Sequence, residues 1–267
     1  MEKNKILYIS QEISPFLPES DISIISRYLP QVIQEKGKEI RTFMPRYGVI
    51  NERRYHLHEV IRLSGMNIII NDTDHPLIIK VASIQQARLQ VYFIDNEEFF
   101  HRKNTITDND GNYFEDNGER ILFFAKGIIE TTKKLRWAPD IVHCHGWFTS
   151  LAPLLIKKLM HDDPYFANSK IIYSIYNEEF PDELDKKLRH KIKLLGISER
   201  DMKILDSPTY ENILKLAINN SDGIIRGSKE INENVEEYIR KTKKPFLEYG
   251  EHASYIEEIN KFYNSFS

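Results

Sequence analysis

The chain has 267 residues, 41% of them hydrophobic, which allows one large α/β domain or two small ones with a proper core and excludes a disordered chain. Lysine and arginine number 37 against 40 aspartate and glutamate, a net charge of −3, so no electrostatic footprint points to nucleic acid or an anionic membrane. The one cysteine, Cys144, excludes an internal disulfide, and the apolar run after Met1 is too short for a signal segment or a spanning helix. The expected location is cytoplasmic.

Lys5 to Ser10 is a continuous apolar, β-rich run that predicts a buried parallel strand, and residues 37–45 predict a second one after an intervening helix. Residues 67–70, 77–81 and 89–94 predict short strands separated by turns at Asn71-Asp72 and Gln85-Gln86, a hairpin or sheet extension. Ile121, Phe124, Ala125, Ile128, Ile129 and Leu135 recur near helical spacing and predict a long amphipathic helix from Glu119 to Leu135, ahead of a strand ending at His143. Further strands are predicted at 171–175 and 223–228, and further helices at 184–195, 210–219 and 230–240. This alternation predicts an α/β fold, a Rossmann-like parallel sheet flanked by helices. No repeat or low-complexity tract interrupts it, and no linker precedes Lys241-Thr242-Lys243-Lys244.

The segment from Pro139 to Leu151, with His143-Cys144-His145-Gly146-Trp147 at its centre, reads as a strand-to-helix turn of the kind that binds ligands at the carboxyl end of open α/β sheets. It resembles the Asp-Val-Val-His-Ala-His-Asp-Trp-His-Thr-Ala-Leu signature of bacterial glycogen and starch synthases, which transfer glucose from ADP-glucose to an α-1,4-glucan. Met44-Pro45-Arg46-Tyr47-Gly48 is similar to the family's Val-x-Pro-Arg-Tyr-Gly turn, and Asp116 to Phe124 is similar to its Asp-Asn-x-x-Arg-Phe-x-x-Phe segment. The likeness runs to about Ser228. It implies the N-terminal half of a two-Rossmann-domain (GT-B) glycosyltransferase, where the acceptor glucan packs mainly on the first domain and the nucleotide sugar mainly on the second. The expected organisation is a synthase-like domain over residues 1–245 and a tail over 246–267. In that tail Ile256, Ile259, Phe262 and Tyr263 share a helical face that packs on the same domain, as in a complete short protein.

The chain departs from the family pattern at four places. Pro18 stands at the family's lysine, and Ser20-Asp21 stand where paired glycines would let backbone N–H groups approach a phosphate at a helix N-terminus. Glu19 and Asp21 would repel a diphosphate, and Ser20 or Asp21 is expected to cap the following helix instead. Gly146 and Phe148 replace the signature's aspartate and second histidine. Tyr176 replaces a histidine that the resemblance places on the donor sugar, while Asn177 is retained.

Other chemistry finds little support. His143 and His145 share a strand face, but no third or fourth ligand accompanies them, so no metal and no cofactor are expected. Cys144 points to the other face as a small buried hydrophobe. Trp147, Phe148, Tyr176 and Phe180 have two readings, a sugar-stacking platform or core packing, and packing is the more general outcome. Glu178-Glu179, Asp182-Glu183 and Asp185-Lys186-Lys187 read as solvated helix surface.

The expectation is a glycogen/starch-synthase-like domain that lacks the donor-binding half, is catalytically impaired alone with no catalytic residue of its own, and serves as an α-glucan-binding or regulatory relative. Glu12, His145, Trp147, Tyr176 and Asn177 are the expected cleft-lining, substrate-binding residues. Two alternatives stand beside it: a glycosyltransferase completed by a partner chain, and a module that docks a protein partner.

Overall fold

The computed structural model describes residues 4–181, 183–250 and 252–266; Asp182, expected on a solvated helix surface, lies outside the described residues. In chain order the elements are β1 (Lys5–Ser10), α1 (Asp21–Glu35), β2 (Glu39–Pro45), α2 (Glu52–Tyr55), β3 (His58–Glu59), β4 (Met66–Ile70), β5 (Thr73–Ile84) and β6 (Leu89–Asp95). There follow α3 (Glu97–Phe100), α4 (Asn117–Lys134), β7 (Ile141–His145), α5 (Leu151–Leu159), β8 (Lys170–Ile175), α6 (Leu188–Lys193), α7 (Tyr210–Asn219), β9 (Gly223–Arg226), α8 (Glu233–Thr242), β10 (Phe246–Leu247) and α9 (His252–Asn264).

The strands form one sheet in the order β10-β9-β8-β7-β1-β2-β6-β5-β3, with β4 paired to β5. From β10 to β6 every neighbour is parallel, with Tyr8 opposite both Thr42 and His143. The predicted hairpin is an antiparallel extension: Asn71 and Asp72, both at positive φ, reverse the chain so that β4 pairs with β5, and β5 then pairs with β6. Continuous apolar runs make the parallel strands because both faces are covered. On one face α4, α5, α7 and α8 pack side by side, and on the other α1 contacts α9. The chain leaves β1 toward β2 on one side and resumes at β7 on the other, so the topological switch point lies between the carboxyl ends of β1 and β7.

Two sequence expectations need correction. The helix expected over 184–195 is confined to Leu188–Lys193, because the Leu184 N–H donates to the Pro208 carbonyl and the Asp185 carboxylate accepts from the Lys187 N–H, tying the first turn elsewhere. Lys241 to Lys244 is not a free linker: Lys243 ends α8 at positive φ, and Lys244 Nζ donates to the Ile218, Asn219 and Ser221 carbonyls that close α7. β10 then joins the sheet beside β9.

α9 lies over the β7–β9 face. Tyr255, Ile259 and Tyr263 are buried, Tyr255 Oη donates to the Arg226 carbonyl at 2.6 Å, and a Cβ on Gly223 would meet the Phe266 ring at 2.6 Å. Among the described residues no helix is long and apolar enough to cross a membrane. Ile259→Ala should destabilise the domain by about 2–5 kcal/mol through lost transfer energy and a residual cavity, read from the urea midpoint. An unchanged midpoint would show that α9 docks without supporting the core.

Candidate functional site

Four strand ends and one helix start converge on the carboxyl edge: Gln11-Glu12 after β1, Gly146-Trp147 after β7, Asn177-Glu178 after β8, Gly227-Ser228 after β9, and Ser20-Asp21 at α1. Ser20 caps α1, as expected: its hydroxyl accepts from the Ser23 N–H at 3.0 Å, and the Ser23 hydroxyl accepts from the Ser20 N–H at 2.8 Å. The Ser20 hydroxyl also donates to Glu12 at 2.6 Å. Asp21 accepts from the Ser228 hydroxyl at 2.8 Å, and Ser228 in turn accepts from the Asn177 N–H at 3.2 Å. The Ser20 and Ser23 N–H groups and the side chains of Ser20, Asp21 and Ser228 are therefore engaged with one another.

Gly146 sits at φ +83, and a Cβ there would overlap the Gln11 side chain. Gln11 uses that space: its amide oxygen accepts from the Phe148 N–H at 3.0 Å, while its amide nitrogen donates to Glu178, whose second oxygen faces the Trp147 N–H at 3.4 Å. Burial, and then the neighbouring Glu12 charge, pushes the Glu178 carboxyl up to about 8. None of the ion pairs among the described residues involves Glu12, Glu19, Asp21 or Glu178.

Of the five expected cleft residues, the structure leaves two at the surface. Asn177 is exposed and Glu12 is partly buried beside an open depression of about 550 Å3 that Leu17, Pro18, Ser20, Asn104 and Thr107 also line. His145, Trp147 and Tyr176 are not cleft-lining. Trp147 packs edge-on against Phe180 at 4.9 Å, so the aromatic platform is core. The Tyr176 ring lies against Gly227, where a Cβ would overlap it, and its hydroxyl meets His145 Nδ1 at 2.7 Å. His143 bridges Tyr263 at 2.6 Å and Ser174 at 2.7 Å. Burial lowers the His145 pKa to about 3, and burial with the adjacent His145 lowers that of His143 well below the usual imidazole value. Both rings are neutral at pH 7. Cys144 faces the other way, and burial raises its thiol pKa. Among the described residues no group of three potential ligands could hold a metal.

Sequence reasoning missed Gln11 and Glu178. The latter is not solvated helix surface but a strand-end carboxyl inside the edge; the only local signal was its position two residues beyond Tyr176. Arg120, by contrast, lies in a recognised motif and works as an anchor. Its fully buried guanidinium donates to Phe99 O at 2.7 Å, Thr105 O at 2.7 Å and Asn117 Oδ1 at 2.6 Å, and lies 5.2–5.9 Å from the Tyr47, Phe100, Phe114 and Phe148 ring centres. Thr105 and its neighbours form one wall of the depression. The opposite approach is set by Gly48, whose N–H donates to Phe100 O at 2.6 Å and whose missing Cβ leaves room for the Arg102 backbone.

Known proteins resemble the chain over most of its length. A model of the starch synthase catalytic domain matches residues 5–245. The chain belongs to that family. The glycogen synthase of Chlorobium luteolum is 35% identical over 229 residues, covering 84% of this chain and 46% of the relative. That of Chlorobium phaeobacteroides is 33% identical over 250 residues, covering 86% and 51%. The catalytic domain of Arabidopsis thaliana starch synthase IV, solved with ADP and acarbose, superposes with a TM-score of 0.70 at 16% identity, covering 92% of this chain and 51% of that one, a likeness of fold alone. This synthase domain thus spans about half the length of the curated relatives it matches.

Two predictions concern the stability of the synthase domain. A Glu178 pKa raised from 4.5 to about 8 favours the folded state fully below pH 4.5, and that advantage is lost as pH rises through 8. Glu178→Gln keeps an acceptor without the charge, so its melting temperature should exceed wild type at pH 9 and approach it at pH 5; the reverse order would place Glu178 in an ionised, paired state. The depressed histidines act oppositely, contributing stability above pH 6.5 that falls away in acid, and they are common to both proteins. Arg120→Met should cost about 3 kcal/mol or more by leaving buried carbonyls unpaired, with faster amide exchange over residues 101–107. A loss under about 0.5 kcal/mol, the size of an ordinary surface change, would show the carbonyls satisfied without it.

Proposed function

We propose that this glycogen/starch-synthase-like domain holds an α-glucan at its carboxyl edge and does not, by itself, transfer glucose from a nucleotide sugar. The observation that carries this reading is the filled β1–α1 turn. Ser20 spends its hydroxyl on capping α1 and on Glu12, and Asp21 is tied to Ser228, so the Ser20 and Ser23 N–H groups are already bonded and side chains fill space that would suit a diphosphate. Glu12, Glu19 and Asp21 add negative charge with no lysine or arginine paired to them among the described residues. A phosphate oxygen about 4 Å from any of these carboxylates would be repelled by roughly 1 kcal/mol in water and about 4 kcal/mol at a surface-like dielectric.

A neutral glucan avoids that repulsion. The depression beside Glu12 offers amide and hydroxyl partners from Asn104 and Thr107, and the apolar flanks of Leu17 and Pro18 suit the C–H face of a sugar ring. On this reading the glucan contacts side chains of the depression rather than the buried Trp147 and Tyr176. The relatives named glycogen synthase support the substrate class, and the site departures support loss of transfer.

The 267-residue protein should incorporate labelled glucose from ADP-glucose or UDP-glucose into glycogen only at background, and it should be retarded in a glycogen-containing native gel. Asn104→Ala combined with Thr107→Ala should abolish the retardation. Incorporation above background would overturn the non-transferring half of the proposal. Absence of retardation in the wild type would overturn the glucan half and favour a protein-docking module.

A further inference from the structure

A groove of about 370 Å3 lies between the amino-terminal halves of α1 and α9, beside the carboxyl ends of β9 and β10. Ile24 and Tyr28 line it from α1, and Tyr249, Tyr255 and Ile256 line it from the chain after β10. Ile24 is 40% and Tyr28 53% exposed, so the α1 wall leaves large apolar side chains in water at a concave place of ligand size. The Tyr249 and Tyr255 ring centres are 5.6 Å apart, tilted by 54°. Because the Tyr255 hydroxyl is spent on the Arg226 carbonyl, Tyr255 contributes its ring to the groove rather than a donor. Burial raises the Tyr255 pKa, so the phenol stays neutral.

The charge at this groove is one-sided. Asp21 is in the lining, and Glu258 Oε2 stands 3.2 Å from where a Cβ on Gly250, another lining residue, would lie. Neither carboxylate pairs with a cation among the described residues, and Asp21 meets only a neutral donor, the Ser228 hydroxyl, at Oδ2. No lysine or arginine lines the groove among the described residues. The cations around it are engaged elsewhere: Lys36 pairs with Glu257, Arg226 with Glu236 and Glu248, and Arg27, 5.3 Å from the Tyr28 ring centre, donates to Gln31 at 2.7 Å.

We propose that this groove binds an organic ammonium ion, a cationic nitrogen carried on an apolar body. The Tyr28, Tyr249 and Tyr255 rings attract such a cation through their electron-rich faces, Asp21 and Glu258 supply the counter-charge, and Ile24 and Ile256 take the alkyl body. A hard metal ion does not suit it, because magnesium or calcium needs about six oxygen ligands and this wall is largely apolar. An anionic ligand would meet repulsion from both carboxylates. The site is independent of the glucan reading, because it shares no lining residue with the depression beside Glu12.

Isothermal titration of the full chain at low salt tests it, with choline as the probe and its uncharged tert-butyl isostere, in which carbon replaces the quaternary nitrogen, as the comparison. Choline should bind, and the isostere should bind about tenfold or more weaker. Asp21→Asn keeps an acceptor for Ser228 without the charge, and Tyr28→Leu keeps an apolar side chain without the ring. Each should hold the wild-type melting temperature and lose about threefold or more in affinity, whereas Tyr28→Phe, which retains a ring face, should bind as wild type does. Glycogen-gel mobility should be unchanged in Tyr28→Leu. No binding of choline at tens of millimolar, equal affinity for the isostere, or wild-type affinity in either Asp21→Asn or Tyr28→Leu would each overturn the proposal.

Discussion

The carboxyl edge of this domain depends on one absence, the missing Cβ at Gly146. With φ +83 and no side chain there, Gln11 can lie across the end of β7 and bond at once to Phe148 N–H and to Glu178. That bridge pins β1 to the turn after β7, across the switch point, and to the end of neighbouring β8. It also encloses Glu178, which is why that carboxyl titrates near 8 rather than in the usual carboxylate range. A glutamine, being neutral and bifunctional, satisfies two buried N–H or carboxyl partners without adding another charge to an edge that already carries Glu12 and Asp21.

The opposite side of the same strands is held by a different device. Tyr8, His143, His145, Ser174, Tyr176 and Tyr263 meet between the sheet and α9 with essentially no solvent access. A neutral imidazole can donate on one nitrogen and accept on the other, so His143 joins the Ser174 hydroxyl on β8 to the Tyr263 hydroxyl on α9 without importing charge into the core, while His145 Nδ1 meets the Tyr176 hydroxyl. Tyr263 thereby gives α9 a specific polar contact inside an apolar seam, which fixes its register better than apolar packing alone. The phenol at 176 is part of this network. Its burial follows from its hydroxyl having a partner below and Gly227 leaving room for the ring.

What was legible in the sequence was local. Continuous apolar runs gave the parallel strands, Asn71-Asp72 gave the hairpin, and a serine ahead of an amphipathic repeat gave the cap of α1, because each signal is complete within a few residues. What was not legible depends on partners distant in sequence. Glu178 reads as solvated surface because most acidic pairs are, and its enclosure is set by Gln11 and Glu12, more than 160 residues away. Trp147 and Tyr176 have the composition of a sugar platform, yet exposure is decided by Phe180, Gly227 and His145. The 184–187 stretch has helical propensity, but the Pro208 carbonyl and the Asp185 carboxylate capture its N–H groups.

Among the departures from the family pattern, Ser20, Asp21, Gly146 and Tyr176 are each coupled to a second residue, by a hydrogen bond or, at Gly146, by a side chain in the space a Cβ would take. Ser20 is matched by Ser23 and Glu12, Asp21 by Ser228, Gly146 by Gln11, and Tyr176 by His145. Restoring one member alone meets its partner. An aspartate at 146 would drive its Cβ into Gln11 and force an L residue into a backbone region suited to glycine, leaving Phe148 N–H and Glu178 without their neutral bridge. Closely packed interiors resist single reversions of this kind because a local change is not absorbed by its surroundings. Side chains of the edge thus hold one another in the form seen here, and any ligand it takes must bind on its outer groups without competing for the hydrogen bonds inside.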